Sequence, residues 1–294
     1  MAQAKPVVIE ARLNEWSMRD VNPNVPWTPQ EIADDAYACW RAGASIVHFH
    51  VRGADGAPAH DLDRYADAIR AIRERCDILI HPTLAGVITP DPLQRLAPLK
   101  ALCDDPSTRP DFAPLDMGST NLDCYDPMRR MFTTEQKTYV NSVGALRQMS
   151  SEVVRLGLKP LLCAWTVPCL RTIDAFVDAG WISADPAVLC VVLTDGGILG
   201  GHPGTLAGLD SMLAFLPERE IEWSVCCREG DLMPIAAAAM ARGGHVSIGL
   251  GDYVYPELGS PTNARLVEAI VAEARAHGRS PASVAQTRQM YGFD

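Results

Sequence analysis

Several absences narrow the field before any motif is read. No window of this 294-residue chain approaches the 18 or more uninterrupted apolar residues of a membrane span. Met1 to Pro6 runs directly into Val7-Val8-Ile9, without the apolar core and cleavage site of a secretory leader, so a cytoplasmic protein is expected. There is no basic run, and 26 Lys and Arg stand against 36 Asp and Glu for a net charge of −10. Nucleic acid and membrane are therefore not expected partners. A small anionic substrate remains compatible, because the charge of a pocket need not follow that of the whole chain. The nine cysteines have no zinc-finger spacing, and the adjacent pair Cys226-Cys227 suits neither a disulfide nor a two-thiolate clamp. Reduced thiols used as small core residues are expected. No G-x-G-x-x-G or G-x-x-x-x-G-K-[ST] phosphate loop occurs, nor a G-x-S-x-G nucleophile elbow.

What is present is a recurring unit: a short β-branched run followed by an amphipathic helix. Strands are predicted near Val7–Leu13, Ala44–Arg52, Asp77–His81, Phe112–Met117, Lys159–Trp165, Ala187–Leu193, Glu222–Cys226 and His245–Leu250. Helices are predicted between them, including one at about Val143–Leu156 after a long loop that follows the fourth strand, and one through Ile173–Ala179. The first opens at Thr28-Pro29-Gln30-Glu31, where Thr28 caps, Pro29 suits the first turn and Glu31 completes a capping box. Eight such units predict a single-domain α/β fold over residues 1–294, a (β/α)8 TIM barrel. A doubly wound sheet would have fewer units and usually a Gly-rich loop after its first strand.

In a barrel, residues that follow the strands gather at one mouth, where active sites sit. The strand ends supply Asn14 and Glu15, His48 and His50, His81 and Thr83, Asp116 and Ser119, Cys163, Asp195, Cys227 with Arg228, and Asp252; His202 and His245 are expected near this rim or its strands. Strand alternation puts His48 and His50 on one face, roughly 6–7 Å apart at Cα. Two imidazoles so placed can share one metal ion, with zinc the first choice and iron, nickel or copper also suited to neutral imidazole. The structural alternative is two histidines donating to core carbonyls. Asp252 reads as a metal ligand or general base, or as a turn aspartate after Gly251; Glu15 as an active-site carboxylate or a solvated loop residue. Thr83 and Ser119 can hold a substrate carboxylate or carbonyl, or cap the next helix. His81 reads as a core or pocket histidine, and His277 as a surface residue at a helix C-terminus.

Taken together, Asn22-Pro23-Asn24-Val25-Pro26, the run from Ala42 to Arg52, Asp55-Gly56, His81-Pro82-Thr83, Leu115 to Ser119, Gly243 to Val246 and Pro261-Thr262-Asn263 resemble the β-keto acid cleavage enzymes. The resemblance spans essentially the whole chain. It implies a zinc-dependent, homo-oligomeric barrel, a tetramer or other symmetric assembly, in which a small β-keto acid and acetyl-CoA become acetoacetate and a new acyl-CoA. By the same resemblance His48 and His50 are zinc ligands, Asp252 and Glu15 are catalytic, and Thr83 and Ser119 bind substrate; Glu15 aligns only with one residue inserted before Asn22. The chain departs from the family at its eighth strand. Where the family reads Arg-Val-Gly-Leu-Glu-Asp, this sequence has Ser247-Ile248-Gly249-Leu250-Gly251-Asp252. The glutamate that would be third metal ligand is Gly251, and the active-site arginine is Ser247. Strand five carries Leu161, Leu162 and Cys163 where carboxylates often stand. The metal is then to be completed by Asp252, Glu15, water or substrate. Two other functions stay open at this level: a metal-dependent lyase or hydrolase that does not use CoA, and a non-catalytic barrel that binds a metabolite.

Overall fold

The computed structural model describes residues 4–84, 89, 91–183 and 185–293. Eight parallel strands form its centre: β1 Ile9–Arg12, β2 Ile46–Phe49, β3 Leu79–Pro82, β4 Phe112–Asp116, β5 Lys159–Ala164, β6 Ala187–Thr194, β7 Ile221–Arg228 and β8 His245–Ile248. Helices follow as α1 Pro29–Ala42, α2 Leu62–Arg73, α3 Pro92–Leu102, α4 Val143–Arg155, α5 Val167–Asp178, α6 Leu206–Leu213, α7 Met233–Ala241 and α8 Asn263–Ala276, with a last short helix α9 Val284–Met290. The strand order is β3-β2-β1-β8-β7-β6-β5-β4, so first and last strands pair and the sheet curls into the expected (β/α)8 barrel. The α1 start is as read from sequence: the Thr28 side chain accepts from Glu31 N, and Glu31 returns the bond to the Thr28 amide.

The seam between β3 and β4 is closed by one residue. The Asp111 amide donates to Ile80 O at 2.9 Å, and its carboxylate accepts the Ile80 amide at 2.8 Å. A carboxylate thus takes the place of a ladder carbonyl, and Arg73 and Arg288 hold it from outside at 3.3 and 2.7 Å. The barrel is nearly closed.

Two apolar layers result. The larger lies between the strands and the helix ring, where Val47, Ile80, Leu115, Leu162, Leu189 and Val246 meet helix residues such as Ile69 and Ile270. The smaller fills the barrel interior with Val8, Ile46, Leu79, Phe112, Val188, Cys190 and Cys226, and is plugged at the N-terminal end by Val284 and Tyr291 from α9 and its C-terminal flank. Glu10, His48 and His81 lie above this layer, toward the C-terminal mouth.

Three differences from the sequence reading have simple causes. Residues 118–141, read as a plain loop, contain two small antiparallel ladders, Thr120–Asn121 with Thr138–Tyr139 and Tyr125–Asp126 with Met131–Phe132. Two-residue strands are too short to show alternation. Helix α5 starts at Val167, six residues before the expected Ile173, because Pro168 sits harmlessly in its first turn. His245 does not approach the mouth. It begins β8 at the opposite end, where Nδ1 accepts from Val8 N at 3.0 Å and Nε2 meets Glu222 at 2.8 Å.

Candidate metal centre and active site

The site is built from β1 and β2 and the residues that follow them. Alternation turns Glu10 and Arg12 of β1, and His48 of β2, into the barrel. Beyond the strand ends the backbone is fixed by side chains. Asn14 pairs with the backbone of His50, its Oδ1 accepting the amide and its Nδ2 donating to the carbonyl, both at 2.8 Å. The buried Arg52 guanidinium donates to the carbonyls of Asn14 (2.7 Å), Glu15, Ser17 (3.1 Å) and Gly56 (2.8 Å). Held this way, Glu15 adopts φ +32°, a conformation that non-glycine residues rarely occupy.

The result is a convergence of three buried donors. Glu15 Oε1 lies 2.9 Å from His48 Nε2, and Glu15 Oε2 lies 2.9 Å from His50 Nε2. His48 Nδ1 is 2.8 Å from the carbonyl of His81. A carbonyl only accepts, so Nδ1 carries the proton and Nε2 of the neutral ring presents a lone pair. Burial is the main force on both rings: it pushes His48 down to about 4 and lowers His50, against the attraction of Glu15. Burial works against ionisation of Glu15 too, but the Arg12 guanidinium, followed by the imidazoles, holds its carboxyl well below the usual range. An ionised carboxylate facing an imidazole lone pair at 2.9 Å is favourable only with a proton or a metal cation between them. Burial disfavours the proton. One ligand atom from each of Glu15, His48 and His50 lies within 4.8 Å of the others, close enough for the three to share one divalent ion. The bond from His48 Nδ1 to a carbonyl is the outer-sphere support that such ligands usually have.

Arg12 is the hub beside this cluster. It pairs with Glu15 through Nη2, and its Nε is 2.7 Å from Asp252 Oδ2, though poorly aligned for a hydrogen bond. Burial pushes Asp252 up to about 7, with Arg12 opposing and Glu15 adding to the rise. Beneath lies a second buried group: His81 Nδ1 contacts Glu10 Oε1 at 2.6 Å, and Ser247 Oγ donates to Glu10 Oε2. Burial is the largest single influence on Glu10 and raises it, but the charge and hydrogen bond of His81, with the charges of Arg12 and His48, together outweigh it and bring the carboxyl down to about 2. Glu10, His48 and His81 form a second constellation of close ligand atoms, sharing His48 with the first.

The structure therefore brings His48, His50, Glu15 and Asp252 to one place, as the strand ends implied. Ser119 and Thr83 follow β4 and β3, and His277 lies on α8's C-terminal flank. Ser119 is exposed, and its hydroxyl accepts the Asn141 amide at 2.8 Å, joining the two limbs of the β4–α4 connection. Thr83 is half-buried after β3; its amide donates to Phe49 O at 3.2 Å, and Tyr65 OH reaches its carbonyl at 3.5 Å. His277 pairs with Glu273 at the surface. Glu10 and Arg12 are not among the strand-end candidates of the sequence reading. Their signal was two charges of one parity, at positions 10 and 12, inside an otherwise apolar strand.

A sequence model of the beta-keto acid cleavage enzyme family matches residues 6–293. The 3-keto-5-aminohexanoate cleavage enzyme of Acetoanaerobium sticklandii is 30% identical over 278 residues, covering 94% of this chain and 93% of that protein. The 3,5-dioxohexanoate:acetyl-CoA acetone transferase of Paraburkholderia graminis is 27% identical over 268 residues, covering 87% and 83%. The 3-oxoadipate:acetyl-CoA acetyltransferase of Cupriavidus necator is 28% identical over 277 residues, covering 92% and 89%. Among solved structures, a ternary complex of ObcA with a C4-CoA adduct and oxalate superposes with a TM-score of 0.71 at 16% identity, covering 92% of this chain and 68% of that one; this likeness concerns the fold.

Proposed function

The chain belongs to the beta-keto acid cleavage enzyme family, and from that premise we propose that it exchanges acyl groups between a small β-keto acid and acetyl-CoA at a metal centre held by His48, His50 and Glu15. It is an enzyme acting on β-keto acids. The observation that carries the metal reading is the buried Glu15 carboxylate, with one oxygen 2.9 Å from His48 Nε2 and the other 2.9 Å from His50 Nε2. Zinc is the first choice for two imidazoles and a carboxylate. Acetyl-CoA as co-substrate is supported by the names of the transferases to which the chain is similar.

Bound there, a divalent ion supplies Lewis acidity toward the keto and carboxylate oxygens of the substrate. Asp252, with its proton affinity set near neutrality, takes a proton from C2 of the keto acid. C2 then bonds to the thioester carbonyl, the C–S bond breaks and CoA leaves as thiolate. The thiolate adds to the original C3 carbonyl, the C2–C3 bond breaks with its electron pair returning to C2, and C2 recovers the proton from Asp252. Acetoacetate and a new acyl-CoA result, with atoms and charge balanced. Arg12, between Asp252 and Glu15, stabilises negative charge developing on oxygen. Thr83 and Ser119, after β3 and β4, are assigned to holding the substrate.

The test is acetyl-CoA labelled with 13C in both acetyl carbons, incubated with a panel of β-keto acids. The expected product is acetoacetate labelled at C3 and C4, absent without the thioester. Turnover without CoA, or with label retained in the acetyl thioester, contradicts the assignment. We also propose a homo-oligomer, to be read by light scattering, where a monomeric mass would refute it. The nine unpaired cysteines support a reducing compartment, the cytoplasm; fractionation of cells expressing the native protein tests this, and recovery outside the cytoplasm would contradict it.

A further inference from the structure

We propose that Gly251 is the residue that admits the third metal ligand from the end of β1, because a side chain at position 251 and the carboxylate arm of Glu15 exclude each other. The proposal rests on the metal reading of His48, His50 and Glu15 given above.

The ends of β8 and β1 run together here. The Gly251 amide donates to Arg12 O at 3.0 Å, and Ser17 Oγ donates to Leu250 O at 2.5 Å. A Cβ built on Gly251 would lie 2.6 Å from Glu15 Cγ, 2.9 Å from Glu15 N and 3.0 Å from Arg12 O. Approaches under 3.0 Å force something to move, and Cγ is one bond from the carboxyl that faces the histidines. The backbone does not demand glycine here, since φ at Gly251 lies outside the left-handed region, unlike Gly43 or Gly56. The requirement is spatial: the Glu15 side chain makes the tightest approach, and the Glu15 amide and the Arg12 carbonyl line the rest of the space. On the other side, Glu15 sits in the left-handed region although it is not glycine, with Arg52 and Asn14 fixing the chain around it. An unfavourable backbone at Glu15 and a missing side chain at Gly251 are two halves of one arrangement. The departure noted at Gly251 in the sequence thus has a steric counterpart: one carboxylate seat, filled from β1.

The arrangement predicts reciprocity. Glu15→Gly relieves the backbone and vacates the seat, while Gly251→Glu brings a carboxylate to the same space from β8. Zinc would be titrated calorimetrically into chelator-stripped full-length protein, using the parent, E15G, E15G/G251E, G251A and H48A. E15G is expected to weaken zinc binding by more than about 100-fold, beyond the ~10–100-fold typical of losing an outer-sphere partner. E15G/G251E is expected to bind at least about tenfold tighter than E15G, within the range over which one added interaction acts. The single methyl of G251A, pressed against Glu15 Cγ, is expected to weaken binding about tenfold. Zinc bound by E15G at parental strength, or a folded double variant no tighter than E15G, overturns the proposal. If the double variant shows no cooperative melting transition, G251A decides, and parental affinity there overturns it. H48A separates the two levels: loss of zinc in H48A with retention in E15G refutes this inference and the place given to Glu15, and leaves the histidine pair as the metal's seat. Retention in both refutes the underlying metal reading.

Discussion

Asp252 concentrates the chemistry at the scale of single residues. Its carboxylate is buried, one oxygen lacks an aligned hydrogen bond, and burial raises its proton affinity to about pH 7. A base must be ionised to act. Its working form is therefore present above pH 7 and is lost as the pH falls through that value. The expected kcat/KM rises about tenfold per pH unit below 7 and levels off above it. Asp252→Asn should lower kcat by roughly 10²–10⁴-fold while leaving bound metal unchanged, which metal analysis alongside turnover would check. Loss of metal in that variant would instead place Asp252 among the ligands. The histidine pair was legible in the sequence, because alternation along a strand fixes which side chains share a face. The sequence left its partner open among Asp252, Glu15, water and substrate. Glu15 reads from sequence as an active-site carboxylate or a solvated loop residue, and its buried place depends on a left-handed backbone imposed by Arg52 and Asn14. Nothing in a stretch reading Leu13-Asn14-Glu15-Trp16 announces that conformation.

At the scale of elements, β1 governs the site. Read as an apolar run, it conceals Glu10 and Arg12, which the barrel turns inward to become the partners of His81, Asp252 and Glu15. The alternation rule applied to charged residues as strictly as to apolar ones would have found them. The β3–β4 seam offers a second lesson. Asp111 closes it with one amide and one carboxylate, and precedes a strand whose own pattern says nothing of such a role. Asp111→Ala removes the acceptor of the Ile80 amide and the partner of Arg73 and Arg288. A buried donor left unpaired costs about 1–3 kcal/mol, so a lowered Tm and faster hydrogen exchange at the Ile80 amide are expected. Unchanged exchange at Ile80 would show that the seam is held by other contacts.

For the molecule as a whole, the barrel was legible because its signal repeats eight times. An error of two residues at one strand end leaves the alternation of strands and helices intact. Strand ends predicted from that alternation brought His48, His50, Glu15 and Asp252 to one mouth, which no pairwise spacing in the sequence would have done. His245 shows the limit of the same logic: being near a strand does not say which end of the barrel a residue occupies, and it lies at the base with Val8 and Glu222. The small ladders at 118–141 escaped for want of length. The claim on which the rest depends is that the mouth holds a metal on three named side chains. The most direct measurement is a crystal structure of the zinc-loaded protein with anomalous data on both sides of the zinc edge. It should show one ion per chain bound by Nε2 of His48, Nε2 of His50 and a carboxylate oxygen of Glu15. An anomalous peak elsewhere, or none at a zinc concentration that supports turnover, would contradict the account.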